Sequence, residues 1–226
     1  MMMVQAPEKN RQRAPSKRAL ATKARVFDAA EKVFADRGFD GATIRDIAAE
    51  AGEPVGTIHH HGGGKEALFH RTVARRAEPL AEVRLAALDR LKAQGDLMLT
   101  SVLSAFMRPF FDLSAQDPRW RNYARLVAFV SVDDRWRAIS AECFDPTAEL
   151  FMADLLALLP DASRPQVAEG FVFSVSAMLA LLTSQDRIGA LGADRQTEDE
   201  QIAHLVRFCA AGLSALPQAG SPLRQG

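Results

Sequence analysis

Between Thr22 and Phe69 glycine and proline cut the chain into short helical lengths, and this punctuation constrains the fold more than any other feature. Val26, Ala30, Val33 and Phe34 fall at i, i+4, i+7 and i+8, with Phe27 and Ala29 widening the stripe, the spacing of a half-buried helix. Thr22 stands where an N-cap belongs, Gly38 supplies the stop, and Phe39 can fold back on the helix end. A second, short helix starts at Thr43, turns Ile44, Ile47 and Ala48 inward and closes at Ala51-Gly52. Pro54 then sits at the start of a third, a position where proline is favoured. That helix reaches about His60, with Val55 and Ile58 inward, before Gly62-Gly63-Gly64, which no helix favours. Two short helices joined by a glycine turn, behind a longer supporting helix, make a helix-turn-helix.

The remaining residues extend the helical reading. Lys65 opens a fourth helix through Leu68, Val73, Leu80, Leu85 and Leu88, which Pro79 is expected to kink or split. Further breaks are expected near Gly95, Asp117-Pro118, Asp133-Asp134, Asp145-Pro146, Pro160 to Pro165 and Gly189 to Asp194, with closing helices at about 165–184 and 199–216. Apolar residues make up 48% of the chain and aromatics only 7%, the apolar share is mostly Ala, Leu and Val, and no segment alternates as a strand would. The expected fold is therefore all-α. Its expected parts are a flexible basic arm (1–21), a three-helix helix-turn-helix headpiece (22–64), an effector-binding and dimerisation domain (65–216) and a flexible tail (217–226).

Net charge is zero, but it is unevenly spread. Residues 1–80 hold 14 basic and 10 acidic side chains, and the rest hold the remaining 14 and 18. The first 25 residues carry Lys9, Arg11, Arg13, Lys17, Arg18, Lys23 and Arg25 against Glu8 alone, as suits contact with a polyanion. Cys143 and Cys209 fit no metal or redox spacing, and the start lacks the apolar core of a signal peptide. The apolar run from Phe171 to Leu182 is interrupted by Ser174 and Ser176 and is short for a bilayer, so a soluble, cytoplasmic protein is expected. No nucleophile elbow, carboxylate pair or phosphate loop is present, so no enzyme and no cofactor are expected.

A helix-turn-helix suits DNA because its first helix braces the second, whose N-terminal residues reach base edges in the major groove. Small residues at that point, Val55, Gly56 and Thr57, allow close approach of the backbone. Free N–H groups where the helices start, around Thr43 and Pro54, can meet phosphate, as can Lys65 and Lys23. The run from Thr22 to Phe39, then Ala42-Thr-Ile-Arg-Asp-Ile-Ala48, Ala51-Gly52, Val55-Gly-Thr-Ile58 and Lys65-Glu-Ala-Leu-Phe69, resembles the tetracycline-repressor (TetR) family of bacterial regulators over about 48 residues. The resemblance implies that Thr43 caps the second helix and touches phosphate, and that Pro54, Val55, Gly56 and Thr57 begin the recognition helix. It also implies that His59 and His60 stand at DNA-contacting positions and that Lys65 grips phosphate. Where the family usually shows Tyr-Tyr-His-Phe-Gly-Ser-Lys, this chain has His59-His60-His61-Gly62-Gly63-Gly64-Lys65. A packing aromatic is thus expected to be missing at Gly62, leaving the third helix poorly anchored. Glu53, just before the recognition helix, places a negative charge near the DNA.

The resemblance further implies a regulator, most often a repressor, that binds a near-palindromic operator as a homodimer and responds to a small-molecule effector. The alternative is a member whose weakened headpiece binds ligand but DNA only feebly. Aromatics of the middle helices, Phe106, Phe110, Trp120, Tyr123, Phe129 and Trp136, are the candidate pocket residues, although core packing explains them too. Phe171, Val175, Met178 and Leu182, with Leu205 and Cys209 of the last helix, are the candidate dimer interface. No metal site is expected: the consecutive imidazoles of His59 to His61 point about 100° apart on a helix, so one ion cannot gather all three.

Overall fold

In the computed structural model, which describes residues 16–95, 97–192 and 196–216, the first helix, α1 (Lys17–Gly41), begins earlier than the sequence suggests. Ser16, not Thr22, caps it by accepting from the Ala19 N–H, while Thr22 lies inside the helix and accepts from Arg25. Part of the expected flexible arm is therefore helical, and residues 1–15 lie outside the described residues. At Gly38 the backbone turns to φ 68°, interrupting the helix as expected. Phe39 then packs on Phe34 and Phe69, with ring centres 6.1 and 5.4 Å away.

Thr43 caps α2 (Ile44–Ala51) in a reciprocal capping box: its hydroxyl accepts from the Asp46 N–H, and the Asp46 carboxylate accepts from the Thr43 N–H. Gly52, at φ 62°, ends α2. Pro54 is the N-cap of α3 (Val55–Gly62), one residue earlier than the first helical position expected of it. Glu53 is ion-paired with Arg25 of α1, so its charge is already neutralised within the headpiece.

The long helix α4 (Lys65–Gln94) passes through Pro79 as one element, so the proline does not split it in two. Pro79 lies on the exposed side, where water can satisfy the carbonyl it frees. The body is completed by α5 (Leu99–Gln116), α6 (Arg119–Val132), a 3₁₀ turn (Asp134–Trp136), α7 (Arg137–Cys143), α8 (Asp145–Leu158), α9 (Arg164–Thr183), α10 (Gln185–Leu191) and α11 (Glu198–Ser214). Gly189 falls within α10, and residues 193–195 and the expected tail from 217 lie outside the described residues. No strand occurs among the described residues.

Helix α4 ties the two parts together. Its start contributes Leu68, Phe69 and Val73 to the headpiece core with Val26, Phe34, Ile47 and Ile58. Further along, Leu80 and Leu88 join the body core with Leu103, Phe110 and Leu155. Helix α9 has the length and composition of a membrane-crossing helix, with mean hydropathy 1.5. It packs against α6, α8 and α11.

Candidate nucleic-acid interface and internal cavity

The headpiece presents its expected contact residues on open surface. Lys23, Thr43, Pro54, Val55, Gly56, His59 and His60 are exposed, and Thr57 and Lys65 are half-buried. The Lys65 ammonium lies 3.3 Å from the Asp40 carbonyl and 4.5 Å from the centre of the Phe39 ring, which anchors the start of α4 to the end of α1. His59 Nδ1 lies 3.1 Å from the Gly63 carbonyl. Burial and then the neighbouring His60 hold the His61 imidazole below its usual pKa.

Gly62 overturns the expectation of a missing anchor. It is buried, and a Cβ built there would lie 2.7 Å from Leu68 Cδ1 and 3.0 Å from Leu68 Cβ. Leu68, itself fully buried, approaches from α4 into the space that a side chain at 62 would need. The end of α3 is held by packing from the neighbouring helix, with Arg71 also donating to the His61 carbonyl at 3.0 Å.

A belt of charges joins α1 to the body. Asp28 pairs with Arg75 and with Arg119, both at 2.8 Å. The buried Glu31 accepts from Arg76 at 2.5 Å and from Arg75 at 3.2 Å, and Asp40 pairs with Arg135 at 3.0 Å. Arg135 holds both Asp40 and Asp133 below the usual carboxylate range. Trp136 packs at 4.7 Å from Phe39 and 4.6 Å from Phe69. It belongs to the junction between headpiece and body, not to a ligand pocket.

A cavity of about 300 Å³ opens within the body. Of the six aromatic candidates, Phe106 and Phe110 line it. Trp120 and Tyr123 pack behind Phe110, at 6.0 and 5.8 Å, and Phe129 faces outward at 40% exposure. Sequence reasoning missed Arg84, which lines the cavity at 8% exposure. Its signal was an arginine midway between Leu80 and Leu88 at i+4 spacing in a buried stripe.

The expected dimer face also needs correction. Phe171, Met178, Leu182 and Cys209 are buried within the chain, while Val175 lines the cavity and Leu205 is half-buried. Instead α9 turns Phe173 outward at 62% exposure, with Val172 (59%) at the rim of the cavity, and α11 exposes Phe208 at 68%. The periodic stripe chosen from sequence is the inward face of a helix that is apolar on both sides. Elsewhere, His70, Glu142 and Cys143 bring one potential ligand atom each within 4.8 Å of one another, His70 Nε2 facing Glu142 at 3.0 Å, and burial pushes the Cys143 thiol up to about 11.

Helix-turn-helix headpiece, long connecting helix and helical body with an apolar cavity together define a regulator architecture. Residues 26–72 match the family model described as bacterial regulatory proteins of the tetR family, and residues 104–212 match that of the tetracyclin repressor-like C-terminal domain. The chain belongs to the TetR family. It is similar to the HTH-type transcriptional repressor AcnR of Corynebacterium efficiens, with 38% identity over 61 residues, 25% of this chain and 32% of that protein. The HTH-type transcriptional regulator UidR of Escherichia coli is 29% identical over 94 residues, covering 38% of this chain and 43% of UidR. The chain thus spans less than half the length of these relatives. A structure from Shewanella sp. PV-4 assigned to tetR family transcription regulators shares the fold, with TM-score 0.61 and 18% identity over 85% of this chain and 95% of that one.

Proposed function

We propose that the chain is a sequence-specific DNA-binding transcriptional repressor that acts as a cytoplasmic homodimer and is released by a small-molecule effector, with no catalytic activity of its own. The observation that carries DNA binding is the open helix-turn-helix surface, with Thr43 and Pro54 at two helix starts and Val55, Gly56, His59 and His60 exposed along α3. Thr43, Lys23 and Lys65 meet phosphate, and the first turn of α3 reads bases in the major groove. The repressor sense follows the similarity to AcnR.

Two headpieces need a dimer to hold them. The outward apolar surface of α9 and α11, Val172, Phe173 and Phe208, supports pairing with a second copy as a four-helix bundle across a two-fold axis. The same surface argues against reading α9 as a membrane span, because its other side is already committed to the core. The 3₁₀ turn and α7 offer the coupling route. Asp133, Arg137 and Ser140 line the cavity, while Arg135 and Trp136 between them grip Asp40, Phe39 and Phe69 of the headpiece and start of α4. An effector that favours one position of this segment shifts the spacing of the headpieces.

The test is binding to the DNA upstream of the protein's own gene, followed by fluorescence anisotropy across a salt series. Affinity falls steeply between low and physiological salt as phosphate contacts displace counterions. A flat dependence, or no bound site in a genomic selection, refutes the reading. Phe173→Glu with Phe208→Glu gives a folded monomer by sedimentation; a variant that stays dimeric places the interface elsewhere.

A further inference from the structure

The geometry points to the chemical class of the effector: we propose that the cavity takes an organic monocarboxylate with an apolar body, its carboxylate paired with Arg84. This rests on the effector reading above. Helix α4 carries two deeply buried arginines, and the fold treats them differently. Arg76 has its counter-ions in place, Glu31 at 2.5 Å and Asp117 at 3.7 Å. Arg84, two turns on, has no carboxylate within 4 Å among the described residues. Its Nε donates to the Phe106 carbonyl at 2.8 Å, and one Nη approaches the Met178 thioether at 3.7 Å, a weak acceptor. The guanidinium carbon lies 3.8 Å from the centre of the Phe106 ring.

A guanidinium has five N–H donors, and Arg84 has protein acceptors for two of them. Removing such a cation from water without a partner is costly, so a bound anion recovers what folding gave up. Burial lowers the Arg84 pKa to about 9, which still leaves it charged at neutral pH. The buried Tyr123 hydroxyl has no hydrogen-bond partner among the described residues and is near enough to influence Arg84 electrostatically.

The rest of the lining sets the ligand's other end. Leu80, Phe106, Phe110, Val130, Phe144 and Met178 present apolar walls, and about 300 Å³ is at the small end of ligand pockets. Three carboxylates also border the cavity. Asp133 is paired with Arg135 and Asp145 with Arg137, both at 2.7 Å, while Asp134 is exposed. Arg137 also lines the cavity but is exposed and paired with Asp145, so among the described residues the one buried cation without a counter-ion is Arg84, which suits a single negative charge and disfavours a phosphate ester or a dicarboxylate.

Calorimetric titration of the full chain with decanoate, decanol and decyl phosphate tests this. Decanoate binds at least about tenfold more tightly than decanol, the fold-change of one hydrogen bond to a charged group, and more tightly than decyl phosphate. Arg84→Met brings decanoate and decanol within about threefold of each other, since only the charge-dependent contact is removed. If Arg84→Met does not fold, Arg84→Lys keeps the charge, loses the planar fork and retains part of the preference. Equal affinities in the native protein, no measurable decanoate binding, tighter binding of the phosphate, or a preference that survives Arg84→Met overturns the proposal. Selective decanoate binding that leaves DNA affinity unchanged keeps the anion site and refutes effector control. Release of DNA by a neutral compound, from a protein indifferent to decanoate, does the reverse.

Discussion

Gly62→Phe decides between two accounts of the third helix. If a buried aromatic were missing at this position, restoring it would stabilise the protein. The structure gives the opposite sign. A Cβ at 62 meets Leu68 Cδ1 at 2.7 Å, Cγ at 3.1 Å and Cβ at 3.0 Å. The first atom can swing aside, but the last is fixed by the α4 backbone, so even Gly62→Ala forces α3 and α4 apart by a few tenths of an ångström. Overpacking of this kind costs about 1–3 kcal/mol, offset for alanine by up to about 1 kcal/mol of helix propensity. Gly62→Ala should therefore be near neutral to about 2 kcal/mol destabilising, and Gly62→Phe about 3 kcal/mol or more. In a chain of this size each kcal/mol moves Tm by about 2–4 °C. Leu68→Ala alone costs about 2–5 kcal/mol through the cavity it leaves. Gly62→Phe added to Leu68→Ala should recover part of that loss, because the aromatic then fills vacated space. Urea unfolding of the four proteins closes the double-mutant cycle. A higher unfolding midpoint for Gly62→Phe by itself would falsify the packing account and reinstate the missing anchor.

Two further outcomes follow from geometry already given. Thr43→Ala removes the capping hydroxyl of α2 and lowers stability by about 1 kcal/mol, read by thermal melting. The Asp46 carboxyl, now held low first by the Thr43 hydroxyl, moves up toward its ordinary value in an NMR titration. Because that pKa is depressed in the native state, its contribution is present above the ordinary carboxylate range and is lost as pH falls through the lowered value. An unmoved Asp46 would show that the backbone N–H of residue 43, with Arg37 paired to the carboxylate at 2.8 Å, sets it without the hydroxyl. Trp136→Ala leaves ligand binding within about threefold but weakens the effect of ligand on DNA affinity, because coupling is carried by elements that both sites bias. Calorimetry and anisotropy measured in parallel separate the two, and intact coupling in the variant rules out the junction route.

The headpiece was legible because its signals are local. Thr43, Gly52 and Pro54 act on their own turn of backbone, and Ile44, Ile47 and Ala48 bury the face their spacing predicts. The body was legible only as a succession of helices. Periodicity says which residues of a helix share a face, but not which neighbour covers that face. Helix α9 is apolar on both sides, so Phe171 and Phe173 look alike in sequence, although one is core and the other is open. Trp136 belonged to the right part of the chain, yet which partners it meets is decided by how the 3₁₀ turn reaches Phe39, a separation no local rule spans. Gly62 misled for the same reason, since its partner Leu68 sits on the next helix.

The charge belt between α1 and the body has a consequence for any binding experiment. Ionic strength acts on this molecule twice. Added salt screens the contacts that hold the headpiece to DNA, and it also screens the exposed pairs, Asp40 with Arg135 and Asp36 with Arg125, that register α1 against α6 and the 3₁₀ turn. Buried Glu31 with Arg76 is largely shielded from this and acts as the pivot that persists. As salt rises, the headpiece therefore gains freedom to rock about that pivot, and under the effector control proposed above the two headpiece spacings become less distinct. The ratio of DNA affinities with and without effector should shrink alongside the affinities themselves, so a weak response measured in concentrated buffer reports a loosened joint and not a poor ligand.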